Sequence, residues 1–246
     1  MNTAAAWFRW TELDRTTFPE FRERILASDE EPPTVEPRSY SGYPQRSLPR
    51  PRARWRPALE RVLSERRCSR SLSEDLPSAH SLSRLLFFAH GLTASAGRGP
   101  VPSAGGLQAL ELYAVVLEPG WLSAGAYHYD RSGRHLSLIT TDSDRQAWQE
   151  RIPSLGQVEG GSLLWILVGD GARGEAKYGE RAYRFLLLEA GHLMQNLCLL
   201  STSLGFCTVP LGGFFEREIA RELTLPATDV VLYVGLCGRP ARKRRK

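Results

Sequence analysis

The chain has 246 residues, of which 42% are hydrophobic and 24% charged, a composition typical of a soluble globular protein with a sizeable core. Its longest apolar run, LLWILV at 163–168, is far shorter than the roughly 20 residues that cross a membrane. The N-terminus shows no basic-then-apolar signal pattern, so we expect a cytoplasmic protein without membrane contact. The four cysteines form no CxxC pair, and neither a metal site nor a disulfide framework is expected.

The net charge of +5 comes from two basic segments. Residues 38–70 hold ten arginines against two glutamates, and residues 239–246 hold six basic residues and no acid, so the rest of the chain is net acidic. Such segments contact anionic groups or are simply solvated. For the terminal RPARKRRK, a solvated tail and a phosphate contact both remain open. Because this terminal segment contains no aromatic residue among its basic side chains, nucleic-acid binding by base stacking is the least favoured alternative.

The first third of the chain predicts three helices and a proline-rich arm. FPEFRERILAS predicts a helix within residues 1–30, whereas the prolines of 31–57 exclude a regular helix or a central strand. We therefore assign residues 1–55 to an N-terminal arm. PALERVLSERR has helical spacing, and LSEDLPSAHSLSRLLFFAHGL predicts a helix with Ser81 as its N-cap and Gly91 at its C-terminal end.

The remaining sequence mixes strands and helices. PSAGGLQALELYAVVLE begins as a loop and becomes a strand, GAYHYDRSGRHLSLIT predicts a hairpin turning at Ser132-Gly133, and GSLLWILVGD predicts a buried strand. A long helix over 181–204 is followed by a strand or loop (FCTVPLGGFF), a helix (EREIARELTL) and a last buried strand (DVVLYVGLCG). The absence of a strict βαβ rhythm favours an α+β fold. We place the main domain at 56–238 and a basic C-terminal tail at 239–246.

The long helix carries an apolar stripe, Leu186, Ala190, Leu193 and Leu197, at steps of three and four. Neighbouring faces are also mostly apolar, so we expect the helix to be buried nearly all round. Buried polar groups cost about 1–3 kcal/mol each unless they are hydrogen-bonded. An internal network, a subunit interface and a ligand-facing role all remain open for its polar side chains, which are Glu189, His192, Gln195 and Asn196.

Motif searches disfavour several enzyme classes. The chain has no GxGxxG between a strand and a helix, no Walker A motif, no GxSxG and no HExxH, which argues against classical nucleotide folds, serine hydrolases and zincins. Gly97-Arg98-Gly99 and Gly169-Asp170-Gly171 are typical of ordinary turns. The segment ERRCSRS at 65–71 combines three arginines with small hydroxyl residues, which suits a phosphate or a polyol, although a solvated helix end fits as well.

Five motifs resemble, in order and rough spacing, the SagB-type dehydrogenases of the FMN-dependent nitroreductase-like superfamily: RRCSR, PSAGGLQALELY, GAYHYD with HLSL, KYGERAYRFLLLEAGHLMQN, and PLGGFF. The similarity runs from about residue 60 to 238. Its most specific part is the block at 177–196, because a superfamily-wide pattern would not contain Lys-Tyr-Gly followed by Glu-Ala-Gly-His. The resemblance implies an α+β nitroreductase-like fold with a mixed central sheet flanked by helices, in an interlocked homodimer with two interfacial FMN sites.

The same resemblance implies contacts to the FMN phosphate and ribityl chain. An arginine loop would hold them, with the members Arg66, Arg67, Cys68 and Arg70. Family members usually have serine at the position of Cys68, which removes one expected hydroxyl contact. Arg239 or Arg242 could close on the phosphate.

Contacts to the flavin ring are implied as well. A small-residue loop from the partner subunit would lie against the ring, with the members Pro102, Ser103, Ala104 and Gly105. The family often continues with Ala-Leu-Tyr-Pro where this chain has Gly-Leu-Gln-Ala at 106–109, so the substrate pocket is expected to differ. Gly212 and Gly213 would bring backbone N–H groups to the flavin N5/O4 edge, because glycine lets main chain approach closely.

Lys177 and Tyr178 match the pair that acts as base in azoline oxidation, and KYGERAYR would be a strand-to-helix turn that presents them to the substrate. The apolar stripe of the long helix would pack on the partner subunit. The implied reaction is FMN-dependent dehydrogenation of a peptide-derived ring, with hydride transfer to flavin N5 and a cyclodehydratase as a possible partner. Two alternatives remain open: an NAD(P)H-dependent nitro or quinone reductase of the same fold, and a flavin-free scaffold or partner subunit.

Overall fold

The computed structural model describes residues 6, 7, 10–30, 37–52, 57–94, 97–141 and 143–241. Short 3₁₀ turns connect some of the helices and strands. In chain order the helices and strands are α1 (Phe18–Glu30), β1 (Gln45–Ser47), α2 (Leu59–Glu65), α3 (Ala79–His90), β2 (Leu110–Val116), β3 (Gly125–Asp130), β4 (His135–Thr140), α4 (Arg145–Arg151), β5 (Leu163–Asp170), α5 (Gly171–Tyr178), α6 (Ala182–Ser203), β6 (Cys207–Leu211), α7 (Glu216–Glu222) and β7 (Asp229–Gly238).

Across the described ranges, seven strands form one sheet in the order β1-β4-β3-β2-β5-β7-β6. All neighbouring strands in it pair antiparallel. The α+β class is confirmed, but the implied mixed sheet is wrong. β5 and β6 do run in the same direction, yet β7 lies between them and runs the opposite way, so the two never pair.

The central strand β5 shows how the sheet separates two cores. Side chains alternate between the faces of a strand, and Leu163, Trp165 and Leu167 join the core under α3 and α6. Their neighbours face the second core, which is covered by α4 and α7, and these are Leu164, Ile166 and Val168. Every residue of β2 is buried, as expected for a strand covered on both faces.

Two helix starts differ from the prediction. The N-cap of α3 is Ser78, whose Oγ accepts the Ser81 backbone N–H at 3.3 Å, so Ser81 lies one turn inside the helix. The predicted end of this helix at Gly91 is confirmed. Asp170 is not in a turn: it ends β5 and caps α5 by accepting the Arg173 N–H at 3.0 Å. Lys177 and Tyr178 are therefore the last two residues of a helix, α5, and the predicted strand-to-helix turn is wrong at this position.

The apolar stripe of α6 is buried by its own chain. Leu186, Ala190, Leu193 and Leu197 all belong to the core between α6, α3 and the sheet, so the expectation that they pack on a partner is wrong. The opposite side of the helix is open, with Leu187 50% and Leu188 61% exposed. We call this side the exposed α6 face, and its members are Leu187, Leu188, Gly191, His192 and Gln195.

Residues 37–52 of the N-terminal arm are joined to the sheet. β1 pairs with β4 at the sheet edge. Prolines are compatible with an edge strand, because they cannot donate a hydrogen bond to a second neighbouring strand. Arg38 forms a bidentate pair with Asp229, at 2.5 and 3.1 Å, and the Tyr40 and Tyr113 hydroxyls are 2.8 Å apart.

The start of the basic C-terminal tail is also paired. Ser73 donates its N–H to the Arg239 carbonyl at 2.8 Å, and Ala241 donates to Ser71 at 3.0 Å. Residues 1–5, 8, 9, 31–36 and 53–55 of the predicted arm, and the tail from 242 onward, lie outside the described residues. Among the helices that are described, none is long and apolar enough to cross a membrane.

Candidate active site

Lys177 and Tyr178, the predicted base pair, lie at the C-terminal end of α5. The Lys177 side chain is buried, with 6% of the residue exposed, and its Nζ lies 5.8 Å from the centre of the Tyr178 ring. Two phenylalanines flank that ring, Phe185 edge-on at 4.9 Å and Phe21 stacked at 6.2 Å between centroids. Aromatic packing of this kind fixes the position of the Tyr178 ring, which is half-buried.

Gly105 of the small-residue loop packs against both members of the pair. Its φ of +57° is in the left-handed region that favours glycine. A Cβ at this position would lie 2.4 Å from the Tyr178 hydroxyl and 3.2 Å from the Lys177 Nζ, so no side chain fits. Within one chain, the structure thus joins the loop expected against the flavin ring and the pair expected to act as base.

Glu189 on α6 holds the same loop. Its Oε1 accepts the Ala104 N–H at 2.8 Å, and the Ser103 side chain adds a second hydrogen bond. Burial raises the pKa of Glu189, and these two hydrogen bonds oppose the rise. Of the polar groups singled out on the long helix, Glu189 is therefore part of an internal network, whereas His192 and Gln195 are exposed.

Two arginines that sequence reasoning missed hold the loop from its other end. Gln108 adopts φ +50°, uncommon for a residue other than glycine. Its carbonyl accepts from Arg131 Nη2 at 3.2 Å and from Arg173 Nη1 at 3.1 Å. Arg131 is 2% exposed. Because arginine is rarely buried, apolar periodicity in the sequence does not identify it as an interior residue. The available signal in the sequence was its position directly after β3, because functional side chains often follow the end of a strand.

The arginine loop lies at the other end of α6. Arg67 Nη1 donates to the Arg66 carbonyl at 2.7 Å, and the Cys207 thiol donates to the Arg67 carbonyl at 3.2 Å. Arg67 and Cys68 line a pocket of about 260 Å³, whereas Arg70 is exposed outside it. The pocket is completed by Glu65, Ser69, Thr202, Gly205, Phe206, Cys207 and Pro240.

Arg239 approaches this pocket from the end of β7. Its guanidinium lies 4.3 Å from the centre of the Phe206 ring, which is cation–π distance. Its Nη1 is 3.6 Å from the position of a Cβ on Gly205. Arg239 and the arginine loop therefore converge, while Arg242, the other residue predicted to bind phosphate, lies outside the described residues.

Gly212 and Gly213 lie beyond β6, apart from both groups. Both are exposed, and a Cβ on Gly212 would meet nothing within 4 Å. The Gly213 carbonyl accepts the Ser154 Oγ–H at 2.8 Å. Because β6 starts at Cys207 and has five residues, Gly212 is about 17 Å from the arginine loop.

The predicted site residues thus form two main groups along α6. The base end comprises Lys177, Tyr178 and the small-residue loop above Glu189, and the arginine end comprises Arg67, Cys68 and Arg239 beside Thr202. Glu189 and Thr202 are both on α6, and their separation corresponds to about 20 Å at 1.5 Å per residue. One chain therefore assembles each group but does not bring the two together.

Comparison with known proteins identifies the family. Residues 63–239 match the model of the nitroreductase family, so the chain belongs to that family, and membership indicates an oxidoreductase. The match covers the two groups of candidate site residues and excludes the whole N-terminal arm. Proteins of this family generally use a flavin cofactor.

One relative agrees with this membership, and solved structures share the fold. The chain is 32% identical over 176 residues to a Methanocaldococcus jannaschii protein whose name assigns it to the nitroreductases, covering 71% of this chain and 88% of that one. A Ralstonia eutropha structure titled as a nitroreductase superposes with a TM-score of 0.72 at 22% identity, over 85% of this chain and 95% of that chain. A chain of the E. coli microcin synthetase McbBCD complex, solved with truncated pro-MccB17 bound, gives 0.63 at 20% identity, over 92% and 97%.

Proposed function

We propose that this protein is an FMN-dependent dehydrogenase that oxidises a peptide-derived azoline ring, with Lys177 and Tyr178 as the base. The observation that carries the proposal is the packing of this pair against Gly105. Dehydrogenation of an azoline to an azole removes one proton from carbon and one hydride. FMN, when bound, supplies the hydride acceptor at its N5 atom.

A side chain of the protein must accept the proton that leaves the carbon atom of the azoline. A general base works best when its pKa is near the working pH, and free lysine and tyrosine both titrate near 10. The Lys177 Nζ lies 5.8 Å from the centre of the Tyr178 ring, so its positive charge would attract the negative charge of a Tyr178 phenolate. We assign proton abstraction to the Tyr178 hydroxyl and its electrostatic support to Lys177.

The donor groups of the arginine end fit a phosphate. Guanidinium groups bind phosphate oxygens through paired N–H donors, and Arg67 and Arg239 converge at the pocket there. Glu65 also lines this pocket, but its Oε1 accepts from Arg61 Nε at 2.7 Å. A volume of about 260 Å³ is below the roughly 300–1,000 Å³ of pockets that enclose a whole ligand. This end would hold the phosphate and ribityl chain, and the rest of the cofactor would need other walls.

A second copy of the chain would supply those walls. Because the base end and the arginine end of one chain are about 20 Å apart on α6, a complete site would combine the arginine end of one protomer with the base end of its partner. The exposed α6 face gives such a homodimer an apolar surface, since Leu187 and Leu188 are half or more exposed. Two-fold pairing then produces two equivalent sites.

The experiment has two steps. The purified protein should be yellow and absorb near 450 nm, and a colourless, flavin-free preparation that cannot be loaded with FMN would favour a scaffold or partner subunit. Next, a thiazoline-containing peptide is added without oxygen, and flavin bleaching is followed together with azole formation by mass spectrometry. Bleaching without azole formation, or no reaction at all with loaded enzyme, would refute azoline oxidation.

An NAD(P)H-dependent nitro or quinone reductase is the second candidate. It is favoured by the names of the Methanocaldococcus jannaschii and Ralstonia eutropha relatives. The microcin synthetase chain, similar over nearly its whole length, favours peptide chemistry and partner subunits such as a cyclodehydratase. Stopped-flow reduction separates the two: rapid bleaching by NADPH supports the reductase, and bleaching by the thiazoline peptide but not by NADPH supports the dehydrogenase.

A further inference from the structure

A pocket of about 410 Å³ opens beside Tyr178, outside the contacts already assigned to the flavin. Residues 10–24 form its outer side, and Tyr178 with residues 179–181 forms its inner side. Six of the side chains that line it are either aromatic or acidic. They are Trp10, Phe21 and Tyr178, and Glu12, Glu20 and Glu180.

The outer side of this pocket is held in place by hydrogen bonds and ring contacts. Arg184 Nε donates to the Thr11 Oγ1 at 2.6 Å, and Arg181 Nη1 donates to the Thr11 carbonyl. Phe21 on α1 stacks on the Tyr178 ring. The N-terminal segment is thus a wall next to the proposed base.

The charges of the pocket favour cations. Three carboxylates face two guanidinium groups, Arg24 and Arg181. The Arg181 guanidinium lies 5.9 Å from the centre of the Phe21 ring and 5.8 Å from that of Phe185, so it is directed at the protein's own aromatic rings. The lining therefore offers aromatic surface for a flat ring, including the 68% exposed Trp10, and its three carboxylates outnumber its two guanidinium groups.

We propose that residues 10–24 form the outer wall of the substrate site, and that this wall selects flat rings with a positively charged substituent over rings with a negative one. The inference rests on the proposed function, because it takes Tyr178 to face the substrate. It goes beyond that function in naming the charge of the preferred substrate and in giving the N-terminal segment a role in specificity.

The size of the preference follows from Coulomb's law. A cation about 4 Å from an exposed carboxylate is attracted to it in water, and an anion at the same place is repelled by a similar energy. A cation and an anion of equal shape should therefore differ by about tenfold or more in affinity. Salt screens exposed charges, with a Debye length of roughly 3 Å at 1 M, so the preference should shrink at high salt.

Equilibrium dialysis of the full-length protein against para-nitrobenzylamine and para-nitrobenzoate tests the proposal. We expect the amine to bind about ten times more tightly than the carboxylate at low salt. Glu20→Gln should reduce this ratio several-fold, because it removes one carboxylate without changing shape. Phe21→Ala should weaken both compounds by a similar factor, because it removes the ring that stacks on Tyr178.

Matched controls come from the same helix. Glu23→Gln and Phe18→Ala change residues of α1 that do not line the pocket, and both should leave the dialysis constants unchanged. Equal affinity of wild type for the two compounds, tighter binding of the carboxylate, or no binding of either would overturn the proposal. So would a Glu20→Gln protein with the wild-type ratio.

Dialysis involves no turnover, so its result is separate from that of the proposed reaction. If the amine is preferred but the thiazoline peptide is not oxidised, the proposed charge selectivity of the pocket stands and the azoline assignment fails. If the peptide is oxidised while neither dialysis probe binds, the reaction survives and the charge selectivity of the wall is wrong.

Discussion

The base end and the arginine end of α6 differ in how completely one chain builds them. At the base end, Lys177 is buried and Gly105 leaves no room for a side chain. At the arginine end, Arg67 and Arg70 are exposed, and the pocket is about 260 Å³. The base end is packed within one chain, whereas the arginine end leaves its donors exposed, as the proposed shared site requires.

This difference separates the roles of the two ends. A base must be positioned before the substrate arrives, so its hydrogen bonds and ring contacts are made in the free chain. Guanidinium groups that bind a phosphate gain most of their partners from the ligand itself. The proposed dimer unites the two, and each end can be disrupted separately.

The largest expected effect is at the base end. Tyr178→Phe removes the proposed proton acceptor and should slow azoline oxidation by roughly 10²–10⁴, while the FMN content stays normal. The oxidation rate is measured as turnover of the thiazoline peptide, and the FMN content is measured from the flavin absorbance. Tyr183→Phe is the control, since that hydroxyl bonds Glu175 on the outside of α5. Normal turnover of Tyr178→Phe would remove the base end from the chemistry.

Leu188→Asp is expected to separate the protomers. It would bury an uncompensated charge in the proposed interface, at a cost of about 3–5 kcal/mol. Analytical ultracentrifugation should show a folded monomer that has lost FMN. Leu26→Asp, on a similarly exposed leucine of α1, should stay dimeric. Leu193→Asp should instead unfold the chain, because Leu193 is in the core. A flavin-loaded Leu188→Asp monomer would contradict a shared site.

At the arginine end, Arg67→Ala should weaken FMN binding by about 1.5–3 kcal/mol, as for loss of a hydrogen bond to a charged group. Arg70→Ala should have a smaller effect, because Arg70 does not line the pocket. Dissociation constants from flavin fluorescence titration measure both, with the exposed Arg98→Ala as the control. Should Arg67→Ala bind FMN as wild type does, the phosphate must be held elsewhere.

The smallest expected effect concerns Glu189 beneath the base end. Burial raises its pKa above the ordinary value of 4.5, so the folded protein holds the proton of this carboxyl more tightly than the unfolded chain does. Its contribution to stability is present below that value and is lost as the pH rises through the folded pKa. Glu189→Gln keeps an oxygen for the Ala104 N–H and should be the more stable protein at pH 7, by on the order of 1 kcal/mol or less.

Urea unfolding at about pH 4 and at pH 7 checks this prediction. The stability of Glu189→Gln relative to wild type should increase between the two pH values, while that of the exposed Glu150→Gln should not. A relative stability that decreases with pH would mean that the loop depends on the ionised carboxylate.

Local patterns predicted the elements, and the motif block predicted the nitroreductase fold. A short, continuous apolar run located β5, and apolar residues at steps of three and four located α6. The same steps could not show what covers each face of α6, because a stripe buried by the sheet and one buried by a partner have the same sequence. The apolar stripe was therefore assigned to the wrong neighbour, and the exposure of Leu187 and Leu188 was missed.

The candidate site was predictable only where its members are close in sequence. Lys177 with Tyr178 and the arginine loop were found as motifs. Arg131, whose side chain bonds Gln108 from a distant hairpin, was not, because such contacts are set by tertiary packing. The wall formed by residues 10–24 was missed for the same reason.

Mixing two inactive variants tests the shared site most directly. Arg67→Ala damages the arginine end and Tyr178→Phe the base end, and each homodimer should oxidise the thiazoline peptide poorly. In a mixed dimer that shares its sites, one site carries both lesions and the other carries neither. Random exchange of the two variants after gentle dissociation should therefore restore about a quarter of wild-type activity. If each site is built from a single chain, every site in the mixture keeps one lesion, and no recovery of activity would contradict the account.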